Sequence, residues 1–203
     1  MVAYYKSQGC SNRSDIIGID CAKTSTNAIF SRPIRNGYVT SFTGYRWICL
    51  PNCEWKFHKG IDLGSATGKN TPIYSIGNGV ITKVWRDYYG ARMVTIKYQD
   101  INGQYYTANY AHLSRYASGI YEGMPAKAVN SNTIIGYMGD SGNVTGVHLH
   151  LEVYPCRLWE DSACSSWSKY EQFAKSQFDS GKYKGAESVI NFPSRTYQTW
   201  YSR

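Results

Sequence analysis

The chain has 203 residues, of which 42% are hydrophobic and 15% aromatic, and its 22 Lys and Arg exceed its 14 Asp and Glu by a formal net charge of +8. This composition excludes a disordered chain and suffices for the core of one domain. No apolar run is as long as a membrane span, and the first residues lack the zones of a signal peptide, so neither segment is expected in the sequence as it stands. No run of basic residues accompanies the charge, so we expect no nucleic-acid partner.

Residues 1–36 show no clear periodicity, and we predict an arm or cap there. The chain contains six cysteines in three pairs that are close in sequence. Short loops favour local disulfides, although other pairings remain open, and disulfides indicate an oxidising compartment. The predicted pairs are Cys10 with Cys21, Cys49 with Cys53, and Cys156 with Cys164.

From Tyr38 onward, short runs rich in β-branched and aromatic residues alternate with Gly and Asn. This pattern is typical of an antiparallel β domain. The pair Asn102 and Gly103 between two such runs predicts a β-hairpin. The runs span residues 38–42, 71–76, 79–85, 93–99, 104–113, 133–139 and 147–154.

Beyond the last of these runs, apolar residues between Trp167 and Ala174 recur at helical spacing, and we predict one helix there. The sequence as a whole indicates a mainly β protein. Its predicted parts are an irregular N-terminal arm at residues 1–36, a compact antiparallel β-sheet domain at 37–155, and an extension at 156–203 whose helix packs on that domain.

Three of the four histidines lie in two short motifs: His58 is four residues before Asp62, and His148 is two residues before His150. Residues two or four apart on an extended chain project from the same face, so each motif presents two polar groups together. Zinc binds imidazole nitrogens and carboxylates, and a catalytic zinc site keeps one position open beside three protein ligands. The motifs therefore predict a zinc site, with a structural or adventitious metal site as the alternative.

The segments that contain these motifs, residues 57–81, 109–114 and 136–153, resemble the LytM/lysostaphin family of zinc metallopeptidases in order and spacing. Residues 39–46 are similar to the first strand and turn of that family. The resemblance therefore covers about residues 37–155.

This resemblance implies a compact antiparallel sheet with a groove across it, and one zinc ion per chain bound by His58, Asp62 and His150. It further implies that His112 and His148 lie beside the metal without binding it. These two histidines would act as base and oxyanion helpers, with zinc-activated water as the nucleophile. Which of the two is the base stays open.

Five residues are candidates for the substrate groove. Glu152 can share a strand face with His150, where it would orient that ligand or form a surface salt bridge. Family members often have an oxyanion-stabilising Tyr where this chain has Asn52, so Asn52 itself, Tyr45 or Trp55 would have to take that role. The other three candidates, which precede His112 or lie in the Gly-rich turn before His148, are Asn109, Tyr110 and Asn143.

The activity implied by the resemblance is endopeptidase hydrolysis of the peptide cross-links of bacterial peptidoglycan. The disulfide-like cysteines favour the D-Ala to diaminopimelate bond slightly over the Gly-Gly bond. The alternative is a non-catalytic wall-binding or regulatory module of the same fold, although such relatives lose the metal motif that this chain keeps. We expect a monomer whose partner is peptidoglycan and which is periplasmic, secreted or associated with a virion.

Overall fold

The computed structural model of the protein describes residues 30–41, 43–49, 52–100 and 103–180. The predictions for residues 1–29 and for a disulfide between Cys10 and Cys21 lie outside these residues. Within the described ranges the protein is mainly β, as predicted, with twelve strands followed by one helix. No helix in these ranges has the length and apolar character needed to cross a bilayer.

The strands form from the runs of β-branched and aromatic residues, and the turns between them contain most of the Gly and Asn. The strands are β1 (Gly37–Ser41), β2 (Gly44–Cys49), β3 (Cys53–His58), β4 (Ile61–Ser65), β5 (Pro72–Tyr74), β6 (Gly79–Arg86), β7 (Arg92–Gln99), β8 (Tyr105–Ala111), β9 (Leu113–Tyr116), β10 (Lys127–Val129), β11 (Ile134–Met138) and β12 (Leu149–Tyr154). The helix, here α1, spans Trp167–Asp179.

The described strands form three antiparallel sheets. The largest has seven strands in the order β1-β4-β12-β8-β7-β6-β10. A three-stranded sheet has the order β5-β11-β9, and β2 pairs with β3 alone. Every neighbouring pair of described strands is antiparallel, which confirms the predicted fold class, although only β2–β3, β6–β7 and β7–β8 are consecutive strands joined as hairpins.

Several local predictions are confirmed. Strands β7 and β8 form the predicted hairpin, with Gln99 opposite Tyr105. Cys49 is bonded to Cys53, and Cys156 to Cys164. The single strand predicted over residues 104–113 is wrong, because the chain bends at His112, where φ is 64°, and continues as a separate strand in another sheet.

Strand β12 shows how alternation divides the seven-stranded sheet into two faces. Leu149, Leu151 and Val153 are fully buried in the main core, which lies between this sheet and the three-stranded sheet. The alternate residues of β12 face the opposite side. The same strand therefore supports the core on one side and presents polar groups on the other.

The opposite face of the seven-stranded sheet is covered by α1 and the loop before it. Tyr154, Tyr170, Ala174 and the disulfide-bonded Cys156 and Cys164 form a second buried cluster there. Helix α1 therefore packs on the face from which the alternate side chains of β12 project.

The predicted boundary between residues 36 and 37 does not coincide with the edge of the core. Phe30 and Ile34 precede β1, yet both are almost fully buried in the main core. Phe30 contacts the rings of Tyr98 and Tyr106 edge to face, at centroid distances of 5.2 and 5.5 Å. The last residues of the predicted arm are thus part of the β domain.

Candidate active site

Three strands bring the predicted metal ligands together. Asp62 on β4 lies directly opposite His150 on β12, so their side chains share one face of the seven-stranded sheet. His58 is the last residue of β3, in the two-stranded sheet. The site therefore forms where these two sheets meet.

His58 and Asp62 meet for a different reason from the one that their spacing suggested. An extended chain would separate residues four apart by about 13 Å, but His58 Nε2 lies 3.1 Å from Asp62 Oδ1. The chain turns between them at Lys59 and Gly60. A Cβ atom at Gly60 would lie only 2.4 Å from the carbonyl oxygen of Leu151, so the close approach of this turn to β12 requires glycine.

The three candidate ligand atoms form a small triangle. His58 Nε2 lies 2.9 Å from His150 Nδ1, and His150 Nδ1 lies 2.8 Å from Asp62 Oδ1. Zinc bonds of about 2.0–2.1 Å in tetrahedral geometry place ligand atoms about 3.3 Å apart. A zinc ion therefore fits this donor set after a small expansion of the triangle, and the two imidazoles and one carboxylate are the donors that zinc prefers.

The hydrogen bonds of the ligands perturb their protonation in the metal-free protein. Burial works to raise the pKa of Asp62, but hydrogen bonds from His150 and His58 hold it well below its usual range. Burial works to lower the pKa of His150, but Asp62 and Glu152 outweigh it and raise the pKa to about 9. Burial lowers the pKa of His58. Zinc uptake at neutral pH must therefore release a proton from this group of side chains.

His112 and His148 lie beside the triangle. Their rings are 4.9 Å apart, and His148 Nε2 lies 3.6 Å from Asp62 Oδ1. Nδ1 of His112 lies 2.8 Å from the carbonyl oxygen of Ser141, and Nδ1 of His148 lies 2.9 Å from that of Gly146. A carbonyl oxygen only accepts, so each Nδ1 carries the proton, and each neutral ring keeps an Nε2 lone pair.

The backbone and the surroundings of His112 favour this role. Its φ of 64° is in the left-handed region, a conformation that non-glycine residues adopt mainly where tertiary structure enforces it. Burial, together with the nearby His150, lowers the pKa of His112 to about 4. The imidazole of His112 is therefore neutral at pH 7.

Sequence reasoning missed Arg46 as a residue of the site. Arg46 on β2 donates from Nη1 to Asp62 Oδ2 at 3.0 Å and also to Ser41 Oγ. Its buried Nε has no hydrogen-bond partner among the described residues. No pattern in the sequence pairs Arg46 with Asp62, because the two residues are sixteen positions apart and the rest of the β2–β3 hairpin lies between them.

The prediction that Asn109 and Tyr110 line a substrate groove is wrong for this structure. Both are fully buried, and Tyr110 faces the core, where its hydroxyl accepts from the backbone N–H of Ile76. Asn109 shares the face of His150, but it lies beneath α1 and donates to Glu152. Alternation along β8 therefore directs one of them into the core and the other under the helix.

Glu152 is also buried, which excludes both contact with substrate and a surface salt bridge. Its Oε1 instead lies 3.1 Å from His150 Nε2, on the side of the ring away from the ligand triangle. The structure thus places Glu152 where it orients His150, the first of its two predicted roles.

The remaining groove candidates are exposed. Asn143 lies in the loop that also provides the Ser141 carbonyl to His112. Asn52 lies at the turn of the β2–β3 hairpin, about 20 Å of extended strand from His58. Tyr45 and Trp55 belong to the hairpin face opposite that of His58, because Gly44 pairs with His58. None of these three residues of the hairpin lies where it contacts the metal ligands.

A comparison with protein families gives a match over residues 56–161 to the family described as peptidase family M23. The matched segment contains all five His and Asp residues of the candidate site. It ends before helix α1 begins at Trp167.

Two curated relatives match part of the chain. It is 33% identical over 96 residues to a Vibrio cholerae protein named peptidoglycan DD-endopeptidase ShyA, covering 47% of this chain and 20% of that protein. It is 36% identical over 114 residues to the DD-carboxypeptidase/endopeptidase Mpg of Neisseria meningitidis, covering 56% of this chain and 24% of that protein. The chain thus matches a quarter or less of the length of these relatives.

Solved structures also resemble this one. The catalytic domain of the prophage-encoded M23 protein EnpA from Enterococcus faecalis has a TM-score of 0.46 and 28% identity, covering 60% of this chain and 82% of that chain. The catalytic domain of lysostaphin from Staphylococcus simulans has a TM-score of 0.48 and 22% identity, covering 69% and 93%.

Proposed function

The chain belongs to peptidase family M23, and from that premise we propose that it is a zinc-dependent endopeptidase that hydrolyses the peptide cross-links of bacterial peptidoglycan. The observation that carries this proposal is the convergence of His58, Asp62 and His150 on one point with His112 and His148 beside it. One curated relative is named a peptidoglycan DD-endopeptidase and the other a DD-carboxypeptidase/endopeptidase, and these names support the same substrate.

The metal would be held by Nε2 of His58, Oδ1 of Asp62 and Nδ1 of His150. Three protein ligands leave one position open for water or substrate, as in catalytic zinc sites. A zinc ion bound there supplies a Lewis acid that makes water nucleophilic near neutral pH and polarises the scissile carbonyl.

His112 and His148 would move the protons of the reaction. The attacking water loses a proton to a neutral imidazole, and the departing amine needs a proton from an imidazolium. We assign the base to His112, since its low pKa keeps it neutral and its Nδ1 is occupied by the Ser141 carbonyl. His148, whose Nδ1 already donates to the Gly146 carbonyl, would stabilise the developing oxyanion in its doubly protonated form, in which Nε2 also carries a proton.

For the bond cleaved, we propose the D-Ala to diaminopimelate link before the Gly-Gly link. The relatives at 33% and 36% identity are named for DD activity, whereas the match to lysostaphin is 22% identical. We further propose that the protein acts outside the cytoplasm, in the periplasm, after secretion or on a virion. The four cysteines of the described residues form two disulfides, which persist in oxidising compartments.

The test is to incubate the purified protein with sacculi of both cross-link types, with and without a chelator, and to identify the released muropeptides by mass spectrometry. We expect a chelator-sensitive loss of cross-linked dimers, with intact glycan on the monomers, from the diaminopimelate wall. A matched His150→Ala variant should bind sacculi and release nothing.

Two results would contradict the proposal. Cleavage that persists in His150→Ala, or in the presence of chelator, excludes the zinc mechanism. If the zinc-loaded wild type binds sacculi but releases no muropeptides, the result instead supports the non-catalytic wall-binding module. Such a module would gain no advantage from the complete set of ligands.

A further inference from the structure

Helix α1 lies outside the segment that matches the family, yet it contacts β12, a strand that carries a candidate metal ligand. Tyr170 on its first turns is fully buried, and its ring lies 3.9 Å from that of Tyr154 on β12. Farther along the helix, Phe173 packs on the same cluster as Phe57, the neighbour of His58 on β3. The helix thus packs against β12, which contains His150, and shares one apolar cluster with the residue before His58 on β3.

A continuous chain of hydrogen bonds connects the helix to the ligand triangle. The hydroxyl of Tyr170 donates to Oε2 of Glu152, and the other carboxylate oxygen, Oε1, lies 3.1 Å from His150 Nε2. Nδ1 of the same His150 ring faces Asp62 and His58. Only one carboxylate therefore stands between Tyr170 and a metal ligand.

Glu152 has no freedom to turn within this chain. Its side chain is 3% exposed, and Asn109 donates to the same Oε2 atom at 3.0 Å. Two donors therefore hold Oε2, which leaves Oε1 directed at His150. A carboxylate held in this way requires the proton of a neutral His150 on Nε2, so that the lone pair lies on Nδ1, where the metal would bind.

We propose that Tyr170 is a positioning residue for the metal site, which orients His150 through Glu152. The inference rests on the proposed function only in its choice of metal, because the contacts themselves belong to this chain. Its consequence is that the extension beyond residue 161 forms part of the site: loss of one hydroxyl on α1 weakens zinc binding at a distance.

The test compares two variants that each lose one buried tyrosine hydroxyl. Tyr170→Phe removes the donor to Glu152. Tyr98→Phe is the matched control, since Tyr98 is also buried and its hydroxyl bonds to Ser75 and Tyr110 within the main core rather than to the ligands or Glu152. Zinc affinity is measured by competition with a chromophoric chelator, and the visible spectrum of the Co²⁺-loaded protein reports on the ligand geometry.

We expect Tyr170→Phe to raise the Kd for zinc about tenfold or more and to change the Co²⁺ spectrum, as the loss of such outer hydrogen bonds does elsewhere. Tyr98→Phe should keep the wild-type Kd within about twofold and the wild-type spectrum. Thermal unfolding of the metal-free proteins compares the general loss of stability in the two variants. Equal zinc affinity in the two variants would overturn the inference.

A second variant tests the route through Glu152. Glu152→Gln keeps the shape of the side chain and should weaken zinc binding by itself. Adding Tyr170→Phe to Glu152→Gln should then change the Kd less than about twofold, because coupled residues are not additive. If Tyr170→Phe weakens zinc binding of the Glu152→Gln variant as much as that of the wild type, Tyr170 does not act through Glu152. That result would overturn the proposed route.

The outcomes separate this inference from the proposed function. If zinc affinity follows the expected pattern but the wild type cleaves no sacculi, the positioning role stands and the peptidoglycan activity fails. If the wild type cleaves sacculi and Tyr170→Phe has the same zinc affinity as Tyr98→Phe, the peptidoglycan activity stands and the positioning role fails. A wild type that binds no zinc overturns both.

Discussion

His112 combines a strained backbone with a buried ring, and both features serve the site. Its left-handed φ of 64° turns the chain from β8 into β9, and the same turn directs the ring toward His148 and His150 at centroid distances of 4.9 and 5.8 Å. The Ser141 carbonyl then holds Nδ1. The residue between two strands is therefore held at both its backbone and its ring.

The buried His112 predicts an acid limit to stability in the metal-free protein. Its pKa is about 4 in the folded protein and about 6.5 in the unfolded chain, so the unfolded chain binds the extra proton. The contribution of His112 to the free energy of unfolding is therefore complete above pH 6.5. It is lost as the pH falls toward 4, and the loss is at most about 3 kcal/mol. Urea denaturation in chelator across this range measures it.

His112→Asn is the matched control, because asparagine tolerates positive φ and does not titrate. The variant should lose less stability between pH 6.5 and 4.5 than the wild type. His150 has the opposite sign: its pKa is raised to about 9, so its stabilisation is present below pH 6.5 and is lost as the pH rises through 9. If the wild type and His112→Asn lose the same free energy of unfolding between pH 6.5 and 4.5, His112 is not the source of the acid limit.

At the scale of elements, the two disulfides stabilise different structures. Cys49 and Cys53, both exposed, join the end of β2 to the start of β3, and Trp47 and Trp55 on these strands form an edge-to-face pair at 5.8 Å. The second disulfide closes the loop before α1. Its sulfur-bearing residues are buried in the cluster that contains Tyr170, so this disulfide supports the helix that contacts the metal site.

The two disulfides should therefore contribute unequally to stability. Each closes a short loop, and loss of such a bond costs on the order of 2 kcal/mol. The loop between Cys156 and Cys164 spans 8 residues and the hairpin loop 4, a doubling worth about 0.6 kcal/mol, and only the former pair is buried. Cys156→Ala with Cys164→Ala should lower the free energy of unfolding more than Cys49→Ser with Cys53→Ser. Urea denaturation compares them, and an equal or reversed order would contradict the expectation.

At the scale of the whole molecule, the site lies where all three sheets meet. Asp62 and His150 come from the seven-stranded sheet and His58 from the two-stranded sheet. His112 lies at the passage from the seven-stranded to the three-stranded sheet. No single sheet can form the site, so its integrity depends on how the sheets pack.

The net charge of +8 also acts at this scale and predicts salt-dependent binding to an anionic wall. The affinity of the cleavage-defective His150→Ala variant for sacculi should fall severalfold between about 20 mM and about 150 mM NaCl, as screening shortens the range of the charges. Co-sedimentation measures it, with sucrose in place of salt as the control. Affinity that does not change with salt would show that the charge has no part in binding.

The sequence by itself determined what local patterns encode. Short runs with turn residues between them predicted an antiparallel β protein and the β7–β8 hairpin, and apolar residues at helical spacing predicted the late helix. Short spacings predicted the two described disulfides. The metal motifs were also visible, because two histidines two residues apart and a His–Asp pair four residues apart are features of neighbouring residues. The division into an arm, a domain and an extension stays a prediction. Phe30 and Ile34 lie before the predicted boundary at residue 37, yet they belong to the main core.

Only the tertiary structure decided which groups face one another. It placed Tyr110 in the core and Asn109 beneath α1, and it brought Arg46 to Asp62 and Tyr170 to Glu152. His58 and His150 are 92 residues apart in the chain but 2.9 Å apart in space. Alternation along a strand is a local property. The partner that covers each face is set by the pairing and packing of strands that are distant in sequence, so the spacing of residues alone does not predict it.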